Sequence, residues 1–179
     1  MKKRLAVLLC FAVYTIAMAE EPPAVTLQVK RISSMTDVQK NWESSWGSYD
    51  RNYSRTVDID ISLLNMRSTD ASFSLDVLFV AKPLSGSKRW VFDRSTETVK
   101  LGPAKAFHTV KKSKTMEASV QNYAFSGFKH ESGGRIEGYI VRVLWDSRIV
   151  KVVASSYDLQ KIGNDQEASD ALMKAEPKK

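Results

Sequence analysis

Cysteine is almost missing: the chain has one in 179 residues, Cys10. That excludes an internal disulfide framework and any metal site built from several thiolates. Histidine is scarce as well, with only His108 and His130, and neither has a second metal-type residue at ligand spacing. No serine sits in a Gly-x-Ser-x-Gly elbow. Gly127, Gly133 and Gly134 lack the strand-to-helix junction of a phosphate-binding loop. The sequence therefore predicts no catalytic residue, no metal and no cofactor, and the chain reads as a non-enzyme. Beyond the N-terminus no apolar run approaches the roughly 18 residues of a membrane span, so no integral span is expected in the mature chain. What the chain does have is 43% hydrophobic residues, too many for wholesale disorder. Its length suits one domain with appendages.

The N-terminus carries its own pattern. Lys2, Lys3 and Arg4 precede an apolar stretch from Leu5 to Ile16, which ends in Ala17, Met18 and Ala19. This is the form of a secretory signal peptide, residues 1–19, with cleavage after Ala19. Leu9 stands where a lipobox needs a small residue before Cys10, which argues against lipidation. Cleavage removes three of the 27 basic residues and no acidic ones, so 24 face 20 and the charge falls from +7 to +4. The mature chain then has no cysteine and relies on its core, which a domain of this size can build. Export places it in the periplasm, at the outer membrane or outside the cell, and makes nucleic acid an unsuitable partner.

The mature chain reads as strands. Val25, Leu27 and Val29 alternate with polar neighbours, as do Val57, Ile59, Ile61 and Leu63, and then Phe73, Leu75, Val77 and Phe79. Period-two alternation is the mark of a half-buried strand. The polar link Arg67 to Asp70 predicts that residues 56–82 form an antiparallel hairpin. Short strands are expected at 89–93 and 97–101, and one or two more, with an edge strand, at 107–123. Gly127 to Gly134 reads as a loop. Two further strands flank the turn Asp146, Ser147 and Arg148. With seven to nine strands and no intervening helices, the fold class is all-β. It is read as a two-sheet antiparallel immunoglobulin/fibronectin-like β-sandwich over residues 20–163, with a closed barrel as the alternative. Ser156 caps a short helix, Tyr157 to Ile162, ended by Gly163 and Asn164. Residues 164–179 read as a charged flexible tail.

The segment Ser33 to Ser54 stands out. Trp42, Trp46, Tyr49 and Tyr53 recur at helical spacing among poor helix formers, so either a helix or a packed loop fits. Flat rings there can cover a core edge, stack on sugars or anchor a protein interface, and Trp, Tyr and Arg dominate interface hot spots. Trp42, Trp46, Tyr49 and Arg51 are the candidate binding residues. Asp58 and Asp60 share one strand face, with Asp76 expected across the hairpin. A solvated outer face explains them better than a hydrolase pair. Lys105, Lys111, Lys112 and Lys114 fit edge protection.

Trp46, Gly47, Ser48, Tyr49, Asp50 and Arg51 lead into an alternating strand. Gly138, Tyr139, Ile140, Val141, Arg142 and Val143 follow near the end, before a strand closing on Ala154, Ser155 and Ser156. With the signal peptide and the cysteine-free sandwich, these stretches resemble the small exported immunoglobulin-like β-sandwich proteins of Verrucomicrobia. One of those is an Akkermansia protein associated with a type IV pilus gene cluster. The resemblance, over roughly residues 24–162, implies an envelope or surface role without enzymatic activity, and carries over no ligand residue. The expected function is a non-catalytic interaction or structural protein of the cell envelope, pilus- or secretion-associated, with an envelope or surface protein as partner. The alternative is a carbohydrate-binding module, with a glycan held by the aromatics of residues 42–53.

Overall fold

The computed structural model describes residues 22–43, 48–123 and 127–176. The signal-peptide segment 1–19 and Trp46 lie outside these residues. The elements run β1 (Val25–Glu43), β2 (Ser48–Asn65), β3 (Ala71–Pro83), β4 (Trp90–Leu101), β5 (Ala106–Lys112), β6 (Met116–Tyr123), β7 (Phe128–Trp145), β8 (Arg148–Ala154), α1 (Tyr157–Asn164) and α2 (Gln166–Lys174). Every strand pairing is antiparallel, and the strands form an all-β sandwich as expected.

β2 organises the first sheet. β1 pairs along all of one side, from Val25 opposite Asn65 to Glu43 opposite Ser48. On the other side β5 takes residues 58–64 and β6 takes residues 48–55. Ser113 bridges the gap between them. Its Oγ accepts from the Val57 N–H at 2.9 Å, and its own N–H donates to the Val57 carbonyl at 2.9 Å. The second sheet has the order β4-β3-β7-β8. β7 joins the two: residues 128–133 pair with β6, and the strand beyond pairs with β3.

The core lies between the sheets. Val57, Ile59, Ile61 and Leu63 of β2 meet Phe73, Leu75, Val77 and Phe79 of β3, with Trp90, Val141 and Val143. The alternating residues named from sequence therefore do face inward. The hairpin expected over 56–82 does not form, because β2 and β3 belong to different sheets. Their link turns a corner instead. The Asn65 side chain, fully buried, donates through Nδ2 to the carbonyls of Thr69, Gly102 and Leu101 at 2.8, 3.1 and 3.3 Å. It ties the corner to the end of β4, and alternation alone cannot tell such a corner from a hairpin.

Other boundaries shift for local reasons. Residues 90–101 form one strand rather than two. The glycine-rich stretch is strand, and it is where β7 changes sheets. Gly133 has φ +79°, and a Cβ there would collide with the Glu117 carbonyl. A Cβ on Gly134 would come within 2.7 Å of the Trp90 ring. The β7–β8 turn is as expected, with Asp146 and Ser147 at φ 47° and 62°, both in the left-handed region that a two-residue hairpin turn requires.

The helices cover the outer face of the second sheet. Ser156 caps α1 by accepting from the Leu159 N–H. Residues expected to fray form α2 instead, capped by the Asp165 carboxylate on the Ala168 N–H at 3.1 Å. Leu159 and Leu172 bury against Leu78, Val80, Ile140 and Val152. Further along that face, beside α2, Asp76 and Arg142 form a buried ion pair, each side chain 2% exposed. Arg142 Nη2 donates to Asp76 Oδ2 at 2.5 Å, while Arg94 Nε and Thr96 Oγ1 donate to Oδ1 at 2.8 and 2.9 Å. Burial pushes the Asp76 pKa up, but the donors Arg142, Arg94 and Thr96 together outweigh it and hold the carboxyl below its ordinary value.

Candidate functional site

The first sheet is longer than the second. β2 carries core residues from Val57 onward, but residues 48–55 run past the core with β1, β6 and the start of β7. The result is a four-stranded extension. The segment Ser33 to Ser54 is expected as a helix or a loop, and its described residues, 33–43 and 48–54, are two strands of an antiparallel ribbon. A strand needs no helix-forming residues, so the serines and asparagines that argued against a helix are tolerated.

In antiparallel sheets, residues directly opposite share a face. One face of the extension continues the core side of β2. Arg51 lies opposite Val120, Tyr53 opposite Ala118, and Arg55 opposite Met116. Val120 in turn lies opposite Glu131. These residues, with Leu84, Lys129 and Arg135, line a groove of about 650 Å³. Such a volume falls within the 300–1,000 Å³ usual for ligand sites. The floor is aliphatic: Met116, Ala118 and Val120 lie two apart along β6. The rim is cationic, with Arg51 and Arg55 along β2 and Lys129 and Arg135 from β7. The other face is polar, lined by Asp37, Gln39, Asn52, Ser54, Glu117 and Ser119.

The rim cations differ in their partners. Lys129 pairs with Glu131, whose carboxyl it holds below the usual range. Arg51 Nε donates to the Tyr49 hydroxyl at 2.6 Å, with the guanidinium 4.6 Å from the Tyr49 ring centroid. Hydrogen bonds to Tyr49 and then Tyr53 raise its pKa, and the guanidinium is charged at any working pH in either case. Arg55 reaches Ser34 Oγ through Nε and Nη2 at 3.1 and 3.0 Å. Among the described residues, Arg51, Arg55 and Arg135 have no carboxylate within salt-bridge distance.

Of the sequence candidates, Arg51 lines this groove and Tyr49 is held against it. Trp42 is opposite Tyr49 in the β1–β2 register. Sequence reading missed Arg55, Lys129, Arg135 and the β6 floor. For Arg55 the available signal is its place four residues beyond Arg51, on the same strand face; for Lys129, Arg135 and the floor there is none, because the partner strand and the crossing of β7 are not legible. The carboxylates do not assemble. Asp58 bonds to Ser33 Oγ at 2.8 Å, Asp60 Oδ1 lies 3.0 Å from His108 Nδ1, and Asp76 belongs to the other sheet. The expected lysine roles fit the edge strand β5: Lys111 pairs with Glu97 at 2.7 Å and Lys114 with Asp93 at 3.2 Å.

No family model matches the chain, and no curated protein matches it. Solved structures show weak likeness. A β-glucuronidase from Bacteroides uniformis is 8% identical with TM-score 0.30, covering 64% of this chain and 13% of that one. The chain thus spans about an eighth of that enzyme's length. A putative ApaA protein from Bordetella pertussis is 12% identical with TM-score 0.26, covering 70% of this chain and 95% of that one. A protein from Akkermansia muciniphila is 11% identical with TM-score 0.26, covering 82% and 80%. Likeness at this level carries nothing about activity or partners. Among the described residues no helix is long and apolar enough to cross a membrane.

Proposed function

We propose that this chain is a non-catalytic, exported interaction protein of the bacterial cell envelope, part of a pilus- or secretion-associated assembly, that docks a protein partner on the sheet extension. One observation carries the reading: strands β1, β2, β6 and β7 continue past the core and hold a groove with an apolar floor between arginines that have no carboxylate partner among the described residues. The extension buries the short row Met116, Ala118 and Val120 but leaves Arg51, Lys129 and Arg135 exposed around it, an arrangement that suits an occupant better than a core. An aliphatic floor with a charged rim is the anatomy of a protein interface, apolar at its centre and polar at its edge. A glycan platform would call for several flat rings along the floor, whereas Tyr53 is a single ring beside the aliphatic Met116, Ala118 and Val120. Export rests on the sequence of residues 1–19.

The test is affinity capture from envelope extract. The mature chain should retain a specific partner, and Arg51→Glu with Arg55→Glu should lose it while folding normally. The same protein retained equally by both would remove the groove from the reading.

A further inference from the structure

The groove's charges are spread apart, and their spacing selects among anions. Arg51 and Arg55 stand four residues apart on β2, about 13 Å along the strand. Arg135 lines the groove from β7, just past Gly133, where that strand leaves β6 for β3. Arg51 is held at Tyr49 and Arg55 at Ser34, so their guanidinia do not converge, and one carboxylate or phosphate, which accepts within about 3 Å, engages one of them. An occupant that satisfies all three arginines carries several negative charges at separate points. Its middle must also cover Ala118 and Val120, which are apolar. An extended peptide does both, because successive side chains point to opposite sides while the backbone advances about 3.3 Å per residue.

We infer that the groove receives an extended protein segment in which carboxylates flank an apolar side chain. The apolar side chain seats over Ala118, the smallest side chain in its row, between the Tyr53 ring on β2 and Gly133 on β7. The carboxylates meet Arg51, Arg55 and Arg135. Lys129 contributes less, being neutralised by Glu131. This inference rests on the extension being a docking surface and adds the partner's chemistry.

The probe is a soluble heptapeptide with glutamates around a central leucine, titrated calorimetrically into the mature chain. Controls are the same peptide with lysine for glutamate, polygalacturonate, and vesicles containing anionic lipid. The acidic peptide should bind, and more weakly as salt is raised. Arg51→Glu with Arg55→Glu should weaken it at least tenfold and favour the lysine peptide. Lys100→Glu with Lys151→Glu makes the same charge change on exposed strand positions away from the groove and should leave binding intact. Equal loss in both double variants would mean only net charge is sensed and would overturn the inference. Preference for polygalacturonate or vesicles, or no binding of the acidic peptide, would overturn it as well. If envelope capture still depends on Arg51 and Arg55 while the acidic peptide fails, the docking surface stands and the partner chemistry falls. If both fail, both fall.

Discussion

Asp76→Ala is expected to destabilise the chain by about 3–5 kcal/mol, because it leaves the Arg142 guanidinium buried without its counter-charge. Both side chains are 2% exposed, so water cannot take the missing partner's place without the sheet opening. The pair itself is not a large net gain. Arg142 Nε and Nη1 have no partner within the protein. The double variant Asp76→Leu with Arg142→Met should therefore recover most of the loss. Urea denaturation of the three proteins checks both statements. A double variant as unstable as the single one would mean the pair does more than cancel its own burial.

The same pair sets a pH dependence. The folded-state pKa of Asp76 lies below its ordinary value, so the unfolded chain binds the proton more readily. The stabilisation is complete above about pH 4 and is lost as pH falls through the folded value. The double variant should unfold in acid with one fewer proton taken up over that range.

Ile59→Ala should cost about 2–5 kcal/mol, whereas Arg51→Ala on the same face of the same strand should leave stability nearly unchanged. Ile59 is fully buried between the sheets, and Arg51 is exposed at the groove rim. The contrast follows from where the second sheet stops. β2 keeps one alternation throughout, but only residues from Val57 onward meet β3. A loss at Arg51 comparable to that at Ile59 would make the extension a part of the stability core. Thermal unfolding of both variants decides it.

Alternation made the core legible because it depends on which side a residue faces, and that is a local property. Val57 to Leu63 and Phe73 to Phe79 were placed inward from sequence alone, and they are buried. Pairing was not legible, because it depends on distant partners. The Arg67–Asp70 link looked like a hairpin until Asn65 was seen fastening it to β4. α2 is not legible because short, charged, alanine-rich sequence needs a surface to fold against, and the apolar row of Leu78, Val80 and Ile140 that supplies it belongs to other strands. The aromatic segment misled through its spacing. Intervals of four, three and four suit a helix, but Tyr49, Arg51 and Tyr53 also alternate, and the strand reading is the one that forms. The groove needed residues from β6 and β7 as well as β2, and no local pattern joins those.

The most direct test of the docking surface places a photo-crosslinking residue on either face of the extension in cells. Asn122 lines the groove and Ser119 lies on the polar face. A crosslink to a specific envelope protein from position 122, absent from position 119, is the predicted result. Crosslinks of equal strength from both positions, or none from position 122, would contradict the account.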